Sequence, residues 1–96
     1  MLVKTEFGQA FRKLRLLRGM TQEDFSLVSS RTYISLLERG LKNPTVDKVA
    51  QIANPLALHP LTILAIAYTE DADFERALLL LDKVRKELEM LPSKNN

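Results

Sequence analysis

A short segment in the first half of the chain carries side chains that can read the edges of nucleic-acid bases. Ile34 and Leu37 are spaced as on the buried side of a helix. Three polar residues fall on the opposite side: Arg31, Thr32 and Ser35. A guanidinium can bind O6 and N7 of guanine with two hydrogen bonds, and hydroxyls can bond base edges or touch a thymine methyl. The pattern predicts a short helix, residues 31–39, that could enter a major groove.

Polar residues also occupy the starts of the two neighbouring predicted helices. Gln22 lies at the start of the preceding helix, and Lys42, Asn43 and Thr45 flank the start of the following one. The free N–H groups of a helix N-terminus can bind a phosphate, and polar side chains there add further bonds. Such contacts would set register and affinity without reading sequence.

The charge distribution points to a polyanionic partner. Residues 1–48 hold nine Lys or Arg and five acids, whereas residues 49–96 hold five basic and seven acidic residues. A basic first half and an acidic second half favour a nucleic-acid-facing surface in the first half, although a short chain can be uneven by chance.

Caps and stops divide the first half of the chain into helices. Thr5 is the predicted cap of the first helix, and Thr21 opens the second with acids in its first turn. Gly19 and Gly40 are the predicted stops of the first and third helices. Thr45 caps a fourth helix.

Prolines and acids mark the helices of the second half. Pro55 is expected to end the fourth helix near Ala53, and Pro60 fits the first turn of a fifth, with His59 as its cap or in the loop. Four residues of the fifth helix are predicted to point inward: Leu61, Leu64, Ala65 and Tyr68. An acidic segment, residues 70–73, opens a sixth and longest helix that ends near residue 92.

The last helix has a wide apolar face. Its seam repeats at spacings of three and four residues: Phe74, Ala77, Leu81, Val84, Leu88 and Leu91. A small bundle cannot easily bury an apolar face this wide. One side of the last helix is therefore expected to pack on a second chain, in an interface to which the fifth helix also contributes. The predicted dimer interface is Leu78, Leu81, Val84, Leu88 and Leu91. A helix folded back entirely onto its own bundle is the alternative.

Size and composition exclude several classes. A chain of 96 residues is one domain's length, and without cysteine it has neither a disulfide nor a thiolate metal site. One histidine makes a zinc site improbable, and no apolar run approaches the roughly 20 residues of a membrane span. No nucleophile–base arrangement or Gly-rich phosphate loop is present. We therefore expect a cytoplasmic protein that is not an enzyme and has no metal, cofactor or small-molecule ligand.

Three segments together resemble the Cro/C1-type helix-turn-helix family. They are residues 20–25 (MTQEDF), residues 33–40 (YISLLERG) and residues 43–45 (NPT), in the family's order and at nearly its spacing. The resemblance covers about residues 7–68. It implies a five-helix bundle of the phage-repressor type, here followed by a long C-terminal helix. It also implies binding to double-stranded DNA, usually as a homodimer on a palindromic operator.

The resemblance assigns roles to individual residues. It implies that Gln22 contacts the DNA backbone and that four residues face bases: Ser30, Arg31, Thr32 and Ser35. It implies phosphate contacts by Arg39, Lys42 and Asn43. It also implies an internal salt bridge between Arg15 and Glu38, so that Arg15 is structural and does not contact DNA. Tyr33 is expected to combine ring packing with an exposed hydroxyl.

The chain departs from the family pattern in three places. The segment between Gln22 and Tyr33 is about two residues shorter than usual, and its Gly-containing turn is missing. Pro55 falls where the family continues its fourth helix, and Ala57 stands where Gly is usual. Residues 1–3 could form a short arm. These departures predict an altered turn before the reading helix and a rearranged loop after the fourth.

Together these observations predict a sequence-specific transcriptional regulator. Residues 1–69 are assigned to a DNA-binding domain, residues 70–92 to a dimerisation helix and residues 93–96 to a disordered tail. The alternative is a protein-interaction or oligomerisation module with the same fold, such as an antitoxin whose main partner is a protein. Three contexts stay open: a restriction–modification controller, a phage-type repressor and an antitoxin.

Overall fold

The computed structural model describes residues 6–92, and within them the chain is all α-helical, as predicted. The α-helices are α1 (Phe7–Leu17), α2 (Arg31–Glu38), α3 (Val46–Leu56), α4 (Pro60–Ala67) and α5 (Phe74–Met90). Two 3₁₀ turns, Gln22–Phe25 and Glu70–Ala72, lie between them. The predicted Thr5 cap, the arm at residues 1–3 and the tail at residues 93–96 lie outside the described residues.

The core lies where α1 packs against α4 and α2. The Phe11 and Phe25 rings meet edge to face with centroids 4.9 Å apart, which joins α1 to the first 3₁₀ turn. Each large apolar side chain buried here contributes roughly 1.5–3 kcal/mol to folding. The largest fully buried side chains are Phe11, Phe25, Ile34, Leu37, Ile52, Leu56 and Ile63.

Most of the predicted helix ends are confirmed. Gly19 and Gly40 follow α1 and α2 with φ of 68° and 77°, a left-handed conformation that suits glycine. The hydroxyl of Thr45 accepts from Lys48 N–H at 3.1 Å, and Nδ1 of His59 accepts from Leu61 N–H at 3.0 Å. Both caps satisfy backbone donors that the helix itself leaves free.

The second predicted helix forms, but as a single 3₁₀ turn that ends at Phe25 and does not reach Val28. Its capping box forms as predicted: Thr21 N–H donates to Asp24 Oδ2 at 2.7 Å, and Asp24 N–H donates to Thr21 Oγ1 at 3.3 Å. Beyond Phe25, buried in the core, only four residues remain before Ser30 caps α2. This shortened segment has no room for another α-helical turn.

The fourth predicted helix does not stop at Ala53, since α3 continues through Pro55 to Leu56. Pro55 lacks an N–H and loses one bond, but the final turn is completed by Leu56, which is buried in the core. Ala57 then adopts the left-handed conformation with φ of 58°, and Leu58 N–H donates to the Ala53 carbonyl. Alanine therefore ends this helix in the way that glycine usually does.

The inward face predicted for the fifth helix is largely wrong. Ala65 is buried, but Leu61 and Tyr68 are exposed and Leu64 is only partly buried. The buried face of α4 is instead formed by Ile63, Ile66 and Ala67. Because α4 is apolar on nearly every side, its sequence has no clear amphipathic pattern that could identify the buried face.

Helix α5 is held against the rest of the chain at its start and is exposed along the remainder of its length. The carboxylate of Asp73 accepts from Glu75 N–H and Arg76 N–H, and Lys13 lies 4.4 Å from the centre of the Phe74 ring. Ala77 is the one residue of the helix that is buried. Among residues 6–92, no single helix is long and apolar enough to cross a membrane. Helices α3 and α4 reach the required length and apolar composition only when they are counted together, and a bend of 108° separates them.

Candidate nucleic-acid interface

The predicted reading helix is α2, and its position is set by a close approach to α1. Ile34 and Leu37 are fully buried, so one side of α2 is anchored in the core. At the crossing, a Cβ built on Gly8 would lie 1.9 Å from the carbonyl oxygen of Leu37. Only glycine therefore allows α1 and the last turn of α2 to come this close.

A buried ion pair holds the end of α2 against α1. Arg15 donates to both carboxylate oxygens of Glu38, from Nε at 2.6 Å and from Nη2 at 2.9 Å. Its Nη1 donates to the Met20 carbonyl at 2.8 Å. The hydrogen bonds that Arg15 donates to the Glu38 carboxylate raise the pKa of Arg15 above its ordinary value. This fork-shaped pairing fixes the rotation of α2 as well as its position.

Gln22 joins the same network. Its amide Nε2 donates to Glu38 Oε1 at 3.1 Å, which ties the first 3₁₀ turn to the end of α2. The side chain is half-buried. Gln22 is thus oriented by Glu38 in the free protein, and its predicted contact with the DNA backbone stays a prediction.

The predicted base-facing residues gather on the open side of the first two turns of α2. Ser30 caps the helix, because its Oγ accepts from Tyr33 N–H at 3.0 Å. Arg31 and Thr32 are exposed, and Ser35 is half-buried one turn later. The shortened segment therefore still delivers a capped helix whose N-terminal residues face solvent.

A polar cleft adjoins α2 on the α3 side. Lys42 and Asn43 are exposed in the loop after α2, and Arg39 is exposed at the end of that helix. The cleft has a volume of about 420 Å³ and is lined by Tyr33, Lys42, Asn43, Thr45, Asp47, Lys48 and Gln51. Two cations, the carboxylate of Asp47, neutral polar side chains and the start of α3 border the cleft, and its cations and free N–H groups could bind a phosphate.

Lys48 supports the shortened turn, and sequence reasoning missed it. Its Nζ donates to the Val28 carbonyl at 3.0 Å and lies 5.0 Å from the centre of the Tyr33 ring. The half-buried Tyr33 has a raised pKa because its phenol is desolvated. Lys48 thus satisfies a carbonyl of the turn and covers the ring at the start of α2.

Two further residues were missed. Gly8 stands inside a helical run, and an isolated glycine there is a signal of close packing. Glu23, in the first 3₁₀ turn, places Oε1 3.8 Å from Nη1 of Arg31. Neither residue could be linked to α2 before the elements were packed together.

Comparisons with known proteins agree with this geometry. The family model described as helix-turn-helix matches residues 11–63, which is more than half of the chain. The control protein C.BamHI of Bacillus amyloliquefaciens is 37% identical over 65 residues, which cover 65% of this chain and 80% of that protein.

A second relative is the uncharacterized HTH-type transcriptional regulator y4dJ of Sinorhizobium fredii. It is 42% identical over 53 residues, which cover 53% of this chain and 69% of that protein. No solved structure gives a significant match. With α2 presented beside a polar cleft, and with these matches, the chain belongs to the helix-turn-helix family of DNA-binding transcriptional regulators.

Proposed function

We propose that the chain regulates transcription as a homodimer bound to a pseudo-palindromic operator, with one α2 in each of two successive major grooves. The observation that carries the proposal is the exposed N-terminal half of α2 on a helix whose other side is locked by Gly8 and the Arg15–Glu38 pair. A rigidly held helix with free polar side chains reads base edges at little entropic cost. Such a regulator acts in the cytoplasm, on the chromosome.

Within this proposal, four residues face the bases: Ser30, Arg31, Thr32 and Ser35. Arg31 has the greatest reach, since its side chain is 70% exposed. The phosphate contacts are made by Gln22, Arg39, Lys42 and Asn43. Glu38 orients Gln22, so the amide of Gln22 can bind a phosphate without a large change of conformation.

The base-reading role is tested by comparing Arg31→Ala with Lys42→Ala. A duplex selected by the wild-type chain from a random pool serves as operator, and a scrambled duplex of equal composition serves as the reference. We expect Arg31→Ala to lose roughly 1–3 kcal/mol on the selected duplex and much less on the scrambled one. Lys42→Ala should weaken both about equally and flatten the salt dependence. Equal losses for Arg31→Ala on both duplexes would contradict base reading.

The homodimer is supported by apolar surface that residues 6–92 leave uncovered. A groove of about 260 Å³ between α4 and α5 is lined by Leu61, Leu64, Ala65, Tyr68, Leu80, Leu81 and Val84. It continues along α5 to Leu88, which is 64% exposed. We call this groove and its continuation the α4–α5 face. Leu78 and Leu91, at 68% and 60% exposed, flank it along α5.

A second copy of the chain is the proposed occupant of the α4–α5 face. A two-fold axis that lies between the two copies of α5 places the same apolar residues on both partners, as an isologous interface requires. The interface then consists of Leu78, Leu81, Val84, Leu88 and Leu91, with Leu61 and Tyr68 from α4. Two reading helices about 34 Å apart would meet two half-sites on one side of the duplex.

Sedimentation of two charge substitutions tests the interface. Leu88→Glu puts a carboxylate on the α4–α5 face and should yield a monomer with weakened operator binding. Leu79→Glu is the matched control, because Leu79 is 72% exposed and lies nine residues earlier, roughly half a turn around the helix. It should leave the dimer intact. A Leu88→Glu chain that sediments as the wild type does would exclude this interface.

Two further possibilities are separated by the same experiments. A wild-type chain that is monomeric and enriches no duplex from the random pool would favour the protein-interaction module. If the chain instead binds DNA as proposed, the control protein among its relatives favours the controller context over a phage-type repressor or an antitoxin.

A further inference from the structure

Glu23 is an exposed acidic residue beside the side chains that are proposed to bind DNA. It occupies the first 3₁₀ turn, directly after Gln22, and 73% of its side chain is exposed. Its Oε1 lies 3.8 Å from Nη1 of Arg31, the residue proposed to read a base. A carboxylate beside the phosphate backbone opposes binding, so its presence here calls for a physical reason.

The fold provides only a weak reason, because a carboxylate in the first turn gains little from the dipole of a 3₁₀ turn of four residues. The capping box of the turn is formed by Thr21 and Asp24, and the turn is anchored by Phe25. Within residues 6–92, the ion pair found for Glu23 is the one with Arg31. An exposed pair at this separation adds little to stability.

We propose that Glu23 is a specificity-determining residue. It orients the Arg31 side chain toward a base and weakens complexes in which Arg31 binds a phosphate instead. This inference rests on the proposed function, in which Arg31 reads a base. On a non-operator sequence, Arg31 can contribute to affinity only by turning toward the DNA backbone. There the Glu23 carboxylate is repelled by the negative charge of the phosphates. On the operator, the guanidinium can bond a guanine along one edge while Glu23 accepts along another.

The proposal predicts a change in the ratio of two affinities, that for the operator and that for arbitrary DNA. Specificity improves as much by weakening the wrong complex as by strengthening the right one, and a repulsive charge is a common means of doing so. Removing the Glu23 charge should therefore help binding to arbitrary DNA more than binding to the operator.

Glu23→Gln tests this inference on the selected and scrambled duplexes described above, by fluorescence anisotropy. We expect the affinity for the scrambled duplex to rise roughly threefold to tenfold, the size expected for one exposed charge, with a much smaller change on the selected duplex. Asp47→Asn is the matched control. It removes an exposed carboxylate from the first turn of α3, beside the polar cleft, and we expect it to raise both affinities equally.

The double variant Arg31→Ala/Glu23→Gln links the effect to Arg31. With Arg31 removed, Glu23→Gln should behave like Asp47→Asn and raise both affinities equally. The inference is overturned if Glu23→Gln alone raises both affinities equally or changes neither. Failure of the proposed function is distinct, because it would appear as equal losses for Arg31→Ala alone.

Discussion

Helices α2 and α5 make opposite use of their apolar residues. Helix α2 has 8 residues, and its two core-facing side chains, Ile34 and Leu37, are fully buried. Helix α5 has 17 residues, and Ala77 alone is buried. A helix as short as α2 is not stable by itself, so it exists because the tertiary structure holds it. Helix α5 is more than twice as long and leaves most of its apolar side chains exposed.

The polar contacts of the two helices differ in the same way. Glu38 at the end of α2 is 4% exposed and binds Arg15, whereas the ion pairs of α5 lie on its surface. Arg85, for example, bonds Asp82 and Glu89, each at 2.9 Å within the same helix. Surface pairs of this kind add only tenths of a kcal/mol each. Helix α2 is therefore fixed by few strong contacts and α5 by many weak ones.

The largest expected effect comes from breaking the buried pair. Glu38→Ala leaves the Arg15 guanidinium buried without its carboxylate and should cost about 3–5 kcal/mol in the free energy of unfolding. Urea denaturation measures this cost. The matched substitution on α5 is Glu89→Ala, which should cost less than about 0.5 kcal/mol. If the two variants lost similar amounts of unfolding free energy, the buried pair of α2 would be no stronger than the surface pairs of α5.

A somewhat smaller loss is expected at the crossing of α1 and α2. Gly8→Ala places a methyl group against the Leu37 carbonyl, which cannot move without shifting α2, and should cost about 3 kcal/mol. Operator affinity should fall as well, even at temperatures where the variant is folded, because the reading helix is displaced. Gln9→Ala, at the exposed neighbouring position, controls for the extra helix propensity. A Gly8→Ala chain as stable as the wild type would show that α2 is not held by this contact.

The smallest effect is expected on α5. Leu88→Ala should change the unfolding free energy by less than about 0.5 kcal/mol at concentrations where the chain is monomeric, since Leu88 is 64% exposed. The buried Leu37→Ala should cost about 2–5 kcal/mol in the same experiment. Raising the protein concentration should widen the effect of Leu88→Ala and leave that of Leu37→Ala unchanged. A concentration-independent loss at Leu88 would mean that it packs within its own chain.

Local patterns in the sequence determined where most of the helices lie and how several of them end. Gly19, Gly40 and the threonine caps act through neighbouring backbone groups, so their effect could be predicted without knowing the fold. The same holds for α2, whose two core residues and outward polar residues follow one helical period. The acidic segment, residues 70–73, also marked the approach to the last helix, although the structure places Glu70–Ala72 in a separate 3₁₀ turn and begins α5 at Phe74.

Tertiary structure decided which faces are used and which contacts are made. The buried side of α4 could not be predicted because nearly all its positions are apolar, and only the packing of α1 and α5 selects Ile63, Ile66 and Ala67. Gly8, Lys48 and Glu23 gain their roles from residues that lie 29, 20 and 8 positions away in sequence, respectively, and that folding brings into contact with them. Close contact between distant segments depends on how helices cross, and no local pattern encodes that crossing.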